Sequence, residues 1–388
     1  MERKGSLNNL HISLNELTNA SRVLKQTKSL ASSGLVDNVY IAGLHKEGLD
    51  ENYDYDENRK LKRFSLYSRN LSKIFIVQFI KYIEFCIRVF LFYKNKKIKI
   101  VNIHSLSLLP LGVFLKYSYK AILVYDAHEL ETERNNTKGF RRKLGKWLEF
   151  HLIKHVNMSI VVSESIATWY ANEYNIKSPS VVLNAPNKRE LKTNNHFREK
   201  FNISEDQIIL LYQGGLMAGR GVNLILDAFK ARTDNKVVVV FMGYGELEKD
   251  IQNAALKQSN IFFLPAVPPQ IVLEYTSSAD LGIHLIQNTC LNHYYCMPNK
   301  LFEYAMAGLP VIVSNMKDMS ELVISKNMGT VISDFSVHSV NQAIDHFLIQ
   351  DLNTMKINAY RVACENSWEV QEQKMLAAYQ QLLNPAVL

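Results

Sequence analysis

The sequence predicts an α/β protein that contains two doubly wound parallel-sheet domains. Its 388 residues are too many for one ordinary core and suit two domains of roughly 190 residues each. Both halves alternate short apolar runs with helical patterns, which is typical of parallel strands joined by helices. In the second half, two of the apolar runs end in glycine-rich turns, the position at which open α/β sheets bind nucleotides.

The first half, residues 1–195, has the pattern of one such domain. A short apolar run predicts a buried strand, and a longer run with apolar residues every three or four positions predicts a helix. We expect strands at residues 9–14, 36–42, 98–104, 121–125 and 159–162, and helices at residues 20–32 and 164–174.

The second half, residues 196–367, repeats this organisation, and glycine-rich turns mark the ends of its strands more clearly. The polar segment 184–195, which contains a proline and several charges, is the expected linker between the domains. Five strands are predicted, at residues 208–213, 237–242, 261–264, 281–284 and 311–313.

Charge is divided unequally between the halves. Residues 1–195 contain 31 Lys and Arg against 18 Asp and Glu, whereas residues 196–388 contain 14 against 19. The basic first half predicts an anionic partner such as a lipid surface or a phosphate-bearing acceptor. Nucleic acid is also anionic, but the sequence has no zinc-finger or recognition-helix pattern. We therefore expect no nucleic-acid partner. Because the N-terminus has no apolar signal core, we expect a cytoplasmic protein.

Two amphipathic segments, residues 71–99 and 139–155, carry many of these basic residues. The apolar run 71–93 approaches the length of a membrane span, but Lys73, Lys81, Glu84 and Arg88 interrupt it, so we expect it not to cross a bilayer. The favoured interpretation is a helix that covers the first sheet. The alternative is that both segments rest on anionic headgroups at the inner face of the cell membrane.

The segment 297–314 contains a pattern for anion binding. Its sequence MPNKLFEYAMAGLPVIVS predicts a helix starting at Pro298–Asn299, a left-handed cap at Gly308 and a following strand. The unpaired N–H groups at a helix start bind phosphate. Lys300 adds a positive charge in the first turn, and Glu303, one turn on, is placed to accept hydrogen bonds from ribose hydroxyls.

Loops at the ends of neighbouring strands predict the rest of this site. Glycines allow a ligand to approach the backbone closely, and the guanidinium of Arg220 has the planar geometry that suits a diphosphate. The residues expected to bind here are Gly214, Gly215, Arg220, Gly243, Gly245 and Val267.

The first domain offers a polar cluster after its strand at residues 121–125. His128 is predicted to contact a donor sugar or to orient an acceptor, with Asp126 and Glu129 assisting or holding it. A structural role for the cluster is the alternative.

The Asp54-Tyr55-Asp56 sequence resembles a metal-binding motif, but it lies in a charge-alternating stretch that predicts a solvated loop. We expect no metal and no cofactor.

With these residues identified, the chain resembles glycosyltransferase family 4, whose members have the GT-B fold of two Rossmann-like domains facing across a cleft. The resemblance implies a retaining transferase that uses a nucleoside-diphosphate sugar without an essential metal, and a last helix, residues 368–388, that returns to the first domain. The matching segments are residues 20–25, 125–129, 161–165, 184–187, 220–221, 243–245 and 298–312.

The resemblance implies that Arg220 and Lys300 bind the diphosphate and stabilise its charge in catalysis, and that Glu303 binds the ribose. His128 is the third expected catalytic residue, from its position in the polar cluster. Family members have a further glutamate eight positions before Glu303, whereas this chain has Tyr295. Asn299, Leu301 and the backbone of the PNK loop are therefore expected to complete the donor site, with Tyr295 as a contact to sugar or acceptor.

The expected activity is transfer of a hexosyl or N-acetylhexosaminyl group, with a UDP-sugar favoured over a GDP-sugar as donor. The expected acceptor is a glycan or lipid-linked glycan in the assembly of capsule, O-antigen or exopolysaccharide. Two alternatives stay open: a sugar-nucleotide epimerase of the same fold, and an inactive scaffold in a polysaccharide-assembly complex.

Overall fold

The computed structural model describes residues 7–72, 74–135 and 137–384. These residues form two compact units. The first contains the chain up to Val182 together with the chain from Glu372 onward, and the second contains Leu183–Gln371. Each unit has one predominantly parallel sheet with helices, which confirms the predicted fold class. The segment expected as a linker, residues 184–195, belongs to the second unit.

The first unit is built on an eight-stranded sheet in the order β3-β4-β2-β1-β5-β6-β7-β8. Its neighbouring strands run parallel except for β3, which is antiparallel to β4. The strands are β1 Asn8–Ile12, β2 Asn38–Leu44, β3 Asn52–Asp56, β4 Arg59–Phe64, β5 Ile98–Ile103, β6 Ile122–Asp126, β7 Met158–Val161 and β8 Ser180–Val181.

Five α-helices connect these strands. The first and fifth match the helices predicted from the sequence, and a helix also lies in each amphipathic segment. They are α1 Ser21–Ser32, α2 Phe75–Tyr93, α3 Leu109–Tyr119, α4 Gly139–Leu152 and α5 Glu164–Tyr174.

The expectation of a loop at the acidic stretch around Asp54 is wrong. This stretch forms β3, an edge strand in which Asp54 lies opposite Lys60 and the Asp56 carboxylate accepts from Arg59 Nε at 3.1 Å. Four of its five residues are exposed, so the strand lacks the apolar alternation by which a half-buried strand is recognised. Charged residues on an edge strand also discourage pairing with other chains.

The second unit has a six-stranded, fully parallel sheet in the order β11-β10-β9-β12-β13-β14. The five predicted strands are present, and a sixth, β14, was not predicted because it has only three half-buried residues. The strands are β9 Ile208–Gly215, β10 Val237–Tyr244, β11 Ile261–Pro265, β12 Leu281–His284, β13 Val311–Val313 and β14 Gly329–Val331.

Helices pack on both faces of this sheet and enclose two apolar cores. Strand β10, which lies between β11 and β9, begins with VVVVFM, a continuous apolar run that is buried on both faces, as expected for a parallel sheet between helices. The helices are α6 His196–Phe201, α7 Val222–Ala231, α8 Glu248–Ala255, α9 Val272–Thr276, α10 Leu291–Tyr294, α11 Asn299–Met306, α12 Lys317–Ser325, α13 Val337–Phe347 and α14 Leu352–Glu365.

The last helix, α15, spans Trp368–Leu383. From Glu372 onward it belongs to the first unit, where the Tyr379 side chain is buried and its hydroxyl donates to the Asn102 side-chain oxygen at 2.5 Å. The helix therefore contributes a polar contact to the core of the first sheet.

Candidate functional site

The second unit has a candidate anion site at the start of α11. The helix begins at Asn299, Gly308 follows it in the left-handed region with φ of 72°, and β13 starts at Val311, as the sequence predicts. Within the described part of the chain, no side chain caps the N-terminus of this helix. The first-turn N–H groups therefore lie beside the carboxyl ends of the strands, the edge at which open α/β sheets bind ligands.

Lys300 lies against the end of β9 in this structure. Its side chain fills the space that a Cβ would take at Gly214, whose φ of 120° also favours glycine. Burial lowers the pKa of Lys300, the Arg220 charge lowers it further, and the Glu303 carboxylate opposes both. Gly214 thus makes room for a buried ammonium group at the edge of the sheet.

Glu303 is held by two amide side chains. Gln213 donates from Nε2 to one carboxylate oxygen at 2.6 Å, and Asn299 donates from Nδ2 to the other at 2.9 Å. Gln213 is in turn held by the Thr276 hydroxyl, which donates to its Oε1 at 2.7 Å. A carboxylate fixed in this way still has lone pairs with which to accept from hydroxyl groups of a ligand.

Arg220 lies in a short loop between β9 and α7. Gly219 and Gly221 on either side of it adopt left-handed φ values of 78° and 72°, and the side chain of Arg220 is exposed. Its charge acts on both Lys300 and His284. The loop therefore brings a guanidinium group within electrostatic range of the Lys300 ammonium, as expected for a diphosphate site.

The other predicted glycines mainly allow close packing of backbone. A Cβ at Gly243 would collide with the Gly214 carbonyl oxygen, and a Cβ at Gly245 would collide with that of Leu216. The carbonyl oxygen of Gly215 accepts from the Tyr212 hydroxyl at 2.8 Å. Val267 is half-buried against the core beside α11. These residues shape the carboxyl edge of the sheet.

Tyr295 directly follows α10, and Leu301 is buried in the first turn of α11. The Tyr295 ring lies beneath the Lys317 ammonium, which is 5.8 Å from the ring centroid. In this position Tyr295 contributes an aromatic face beside the start of α11.

Two residues of this site were not identified from the sequence, Gln213 and His284. Both end apolar strand patterns, Gln213 in β9 and His284 in β12. A polar residue at the carboxyl end of a buried strand is the signal that could have identified them, since that end of the sheet is where ligands bind.

The first unit has a second polar cluster, centred on Asp126. The Asp126 carboxylate is 1% exposed and accepts from Arg22 Nη2 at 2.7 Å, Gln26 Nε2 at 2.9 Å, His128 Nε2 at 3.0 Å and His104 Nδ1 at 3.2 Å. Asp126 ends β6 and His104 follows the neighbouring strand β5, so the parallel sheet brings them to one edge. The predicted pair Asp126 and His128 is in contact.

Charges around Asp126 keep it ionised. Burial alone raises the pKa of a carboxyl group, but Arg22 and the two imidazoles hold the pKa of Asp126 well below its usual range. The half-exposed His128 uses Nε2 toward this carboxylate. In its neutral form His128 then presents the lone pair of Nδ1, which can accept a proton from a hydroxyl group.

A chain of hydrogen bonds between buried side chains leads to His104. His11 Nδ1 lies 2.9 Å from His104 Nε2, and Asn102 Nδ2 lies 3.1 Å from His11 Nε2. Burial lowers the pKa of both histidines. One set of tautomers satisfies all these bonds, with Tyr379 donating to Asn102, Asn102 to His11, His11 to His104 and His104 to Asp126.

The remaining predicted member, Glu129, is exposed and forms an ion pair with Arg134, with 2.7 Å between Nε and the carboxylate. His104, Asp126 and His128 also have ligand atoms within 4.8 Å of one another, a spacing at which side chains can hold a metal ion. Arg22 already supplies a buried positive charge to Asp126, which reduces the attraction of this group for a cation.

The amphipathic segment 71–99 covers the sheet with one row of α2, in which Phe85, Val89 and Tyr93 are buried and the Phe85 and Tyr93 rings contact Phe64 of β4. Lys81 donates to the backbone at residues 69 and 71, and Glu84 accepts from Ser68 and pairs with Arg88 at 2.8 Å. The charged face of α2 thus contacts the preceding segment, and the apolar residues outside the buried row point to solvent. Lys73 lies outside the described residues. The exposed apolar residues of this segment are Leu71, Ile74, Phe75, Ile76, Phe79, Ile80, Ile83, Ile87, Leu91 and Phe92.

The segment 139–155 has a similar exposed face on α4. Phe140 is 76% exposed and Trp147 is 58% exposed, with Leu144 and Phe150 also exposed. The helix is anchored from its other side by Glu149, which accepts from Tyr125, Tyr170 and Tyr174 at 3.0, 2.8 and 2.7 Å. Among the described residues, no helix is long and apolar enough to cross a membrane.

Comparison with known families gives a match within the second unit. Residues 193–362 match the family Glycosyl transferases group 1. The chain is also 27% identical over 204 residues to the lipopolysaccharide 1,2-N-acetylglucosaminetransferase of Salmonella typhimurium, an alignment that covers 48% of this chain and 52% of that protein. The match therefore spans about half the length of this curated relative.

Solved structures show the same fold over nearly the whole chain. A sucrose-phosphate synthase from Thermosynechococcus elongatus superposes with a TM-score of 0.81 at 15% identity, covering 98% of this chain and all of that one. Anabaena HepE in complex with UDP gives 0.72 at 12% identity, covering 97% and 100%. WaaG, a glycosyltransferase involved in lipopolysaccharide biosynthesis, gives 0.66 at 17% identity, covering 95% and 98%. The fold of this chain is therefore GT-B.

Proposed function

We propose that this chain, whose residues 193–362 form a Glycosyl transferases group 1 domain, transfers a sugar from a nucleoside-diphosphate donor to a glycan or lipid-linked acceptor. The observation that carries the proposal is the arrangement around α11. Lys300 lies in the first helical turn above Gly214, and Glu303, one turn later, is fixed by Gln213 and Asn299. A cation suited to a diphosphate and a carboxylate suited to ribose hydroxyls thus lie on one short helix, which supports the proposal.

The work of the second unit in this reaction is electrostatic. When the bond between the sugar and the diphosphate breaks, negative charge grows on the diphosphate oxygens. Lys300, Arg220 and the N–H groups of the first turn of α11 are placed to stabilise that charge, and a buried ammonium group stabilises it more strongly than an exposed one. In the proposed retaining reaction the acceptor oxygen bonds to the sugar on the face that the diphosphate leaves, and no metal is required.

His128 is the proposed catalytic residue of the first unit. Asp126 fixes its Nε2, so Nδ1 is the nitrogen that can contact a hydroxyl of the acceptor or the donor sugar. Because Arg22 and His104 hold the Asp126 carboxylate in place, the imidazole of His128 has a defined orientation. This role predicts a loss of turnover rather than of donor binding when His128 is removed.

A UDP-sugar is the proposed donor. HepE has been solved with UDP and with UDP-glucose, and these structures share the fold of this chain. The Salmonella relative is an N-acetylglucosaminetransferase by name, which supports a hexosyl or N-acetylhexosaminyl group as the transferred sugar. A surface polysaccharide is the proposed product class, since that relative is a lipopolysaccharide transferase by name and WaaG is a glycosyltransferase involved in lipopolysaccharide biosynthesis.

The proposed setting is the cytoplasmic face of a membrane. Helices α2, α3 and α4 are neighbours in the first unit, with Phe90 of α2 5.2 Å from Phe114 of α3 between ring centroids. The exposed apolar residues of α2 and α4 are accompanied by exposed basic residues. Apolar side chains flanked by lysine and arginine suit an anionic lipid surface, where a lipid-linked acceptor would be found. The basic residues of this surface include Lys94, Lys96, Lys97, Lys99, Arg141 and Lys143.

Turnover of UDP-sugars tests the proposal. The protein is incubated with a panel of UDP-sugars, with and without a lipid extract from cells that make surface polysaccharide, and released UDP and labelled lipid are measured. A transferase labels the lipid and releases UDP only with the extract. Release of UDP and free sugar epimer without acceptor would indicate an epimerase, and no turnover with any donor would indicate a scaffold.

Variants connect the turnover to the site. Lys300→Ala and Arg220→Ala each remove a charge-stabilising group, so we expect each to lower turnover by about a hundredfold or more. Lys257→Ala, at an exposed lysine elsewhere in the second unit, is the matched control and should retain full activity. Unchanged turnover in Lys300→Ala would refute the site assignment.

A further inference from the structure

His284 is a buried histidine whose ring nitrogens have no protein partner. It ends β12, is 2% exposed, and among the described residues neither Nδ1 nor Nε2 has a hydrogen-bond partner. Buried polar groups are nearly always paired, and an unpaired one destabilises a folded protein. A histidine kept in this position therefore requires an explanation other than packing.

The side chain of His284 points toward the start of α11. Side chains two residues apart on a strand share a face, so His284 lies on the same face of β12 as Gly282. Gly282 packs against the Tyr304 ring, whose atoms lie within 2.8 Å of the place where a Cβ would be. Because Lys300 precedes Tyr304 by one helical turn, the same alignment places His284 beneath the first turn of α11.

The electrostatic environment agrees with this placement. Burial lowers the pKa of His284 to about 3, and the charges of Lys300 and Arg220 contribute. These are the charged groups that act on His284 from α11 and from the loop before α7, and Glu303 acts on Lys300 in turn. The imidazole is therefore neutral at physiological pH, and one of its nitrogens carries a hydrogen.

We propose that His284 is a donor-binding residue, and that its neutral imidazole donates an N–H hydrogen bond to an oxygen of the diphosphate held by Lys300 and Arg220. This inference rests on the proposed function and adds a third donor to the diphosphate site. A neutral N–H stabilises charge on an oxygen without adding a third positive charge to a site that already has two.

The position of Lys300 explains how a diphosphate reaches this nitrogen. Its side chain lies folded over Gly214, against the ends of the strands. A bound diphosphate draws the ammonium group toward its oxygens, and this movement opens the approach to His284. The exposed Arg220 side chain can close over the ligand from the loop without rearrangement of the sheet.

The test compares binding of UDP-glucose to the full chain and to two variants by calorimetry. His284→Leu keeps the approximate volume and removes both nitrogens, and we expect it to weaken binding by at least about tenfold. His284→Gln keeps an N–H donor and should bind within about threefold of the unaltered chain. His346→Leu, at an exposed histidine of α13, is the control and should bind normally.

Thermal melting without ligand separates this role from a structural one. Because His284→Leu removes two unpaired buried polar atoms, it should melt at or above the temperature of the unaltered chain. A variant that melts lower and binds UDP-glucose normally would show that the imidazole is only structural. Equal weakening by Gln and Leu would overturn the N–H donor.

The pH dependence tests the neutral form. The ratio of the two dissociation constants, His284→Leu over unaltered chain, should stay constant from pH 6 to pH 8 because the imidazole does not titrate there. A ratio that grows as pH falls would show a charged imidazolium and overturn the proposal. If the unaltered chain binds no UDP-sugar or GDP-sugar, the proposed function itself fails and this inference fails with it.

Discussion

Arg22 and Asp126 form a buried ion pair in which both side chains are almost fully enclosed. Removal of one partner leaves an uncompensated charge in the core, so we expect Arg22→Ala to lower the free energy of unfolding by about 3–5 kcal/mol. Chemical denaturation at pH 7 measures this loss. Lys62→Ala breaks a pair whose partner Glu51 is substantially exposed, and as the control it should cost less than about 1 kcal/mol.

The same ion pair predicts a sensitivity to acid. The pKa of Asp126 is lower in the folded chain than in an unfolded one, so its stabilising contribution is complete above the ordinary carboxyl pKa and is lost as pH falls below it. Arg22→Ala should therefore reduce the acid sensitivity of stability below about pH 4. Parallel stability curves for the variant and the unaltered chain between pH 2 and pH 4 would contradict this account.

Gly214→Ala tests the packing of Lys300. A Cβ at this position would occupy the space of the Lys300 side chain and displace the ammonium group, so we expect nucleotide affinity to fall by about tenfold. Gly34→Ala is the control, because Gly34 also has a left-handed φ but has open space around its Cβ position. It should lose some stability and no affinity for UDP. Equal UDP affinities for the two variants would count against the placement of Lys300.

Sequence reasoning located residues of this site where the signal was local. Lys300 and Glu303 belong to one helix, and its start, its period and the following cap at Gly308 can be read from neighbouring residues. The roles of Arg22 beside Asp126 and of Gln213 beside Glu303 could not be predicted, since these partners lie 104 and 90 residues away in the chain. Only the sheet topology brings such pairs together.

At the scale of elements, Glu149 fastens α4 to β6 and α5 through three tyrosine hydroxyls. Burial raises the pKa of Glu149 to about 6, opposed by these hydrogen bonds. A carboxyl group whose folded pKa is raised binds its proton more tightly in the folded state. Glu149 therefore lowers the free energy of unfolding progressively as pH rises from the carboxyl pKa of the unfolded chain through about 6.

Glu149→Gln should make this effect visible. Between pH 4.5 and 7 the unaltered chain should lose about 2 kcal/mol of unfolding free energy relative to the variant, which cannot ionise there. Denaturant titrations across this range measure the difference. Glu173→Gln, at a more exposed carboxylate of α5, is the control and should follow the unaltered chain. A constant difference between Glu149→Gln and the unaltered chain would contradict the shifted pKa.

Elements were predictable in proportion to their burial. Strand β10 and helix α11 have apolar patterns that local sequence reveals, and both appear where they were expected. Strands β3 and β14 were not predicted, because an exposed edge strand and a three-residue strand have no apolar period to detect. Helix α2 was predicted as a helix that covers the first sheet, and its buried residues Phe85, Val89 and Tyr93 do so. The extent of its exposed apolar surface could not be read from the sequence, since Lys81 and Glu84 bind the preceding segment instead of facing solvent.

At the scale of the whole molecule, the positive charge of residues 1–195 and the exposed apolar faces of α2 and α4 predict binding to anionic membranes. The chain should sediment with vesicles that contain phosphatidylglycerol, bind less to neutral vesicles, and dissociate as salt rises. The double variant Phe140→Ser with Trp147→Ser should bind these vesicles about tenfold more weakly, since two large apolar side chains no longer enter the interface.

A matched control uses exposed apolar residues of the second unit. Ile349 and Ile357 are exposed, and the double variant Ile349→Ser with Ile357→Ser should bind vesicles as the unaltered chain does. Equal binding of anionic and neutral vesicles, or an equal loss in both double variants, would contradict the assignment of the membrane surface to the first unit.

The central claim, that the second unit binds a nucleoside diphosphate through Lys300, is tested most directly by the equilibrium binding of UDP to the unaltered chain, Lys300→Ala and Lys257→Ala. Loss of a charged hydrogen bond to phosphate predicts a dissociation constant at least about tenfold larger for Lys300→Ala, and an unchanged value for the exposed Lys257→Ala. Equal dissociation constants for all three proteins would contradict the account.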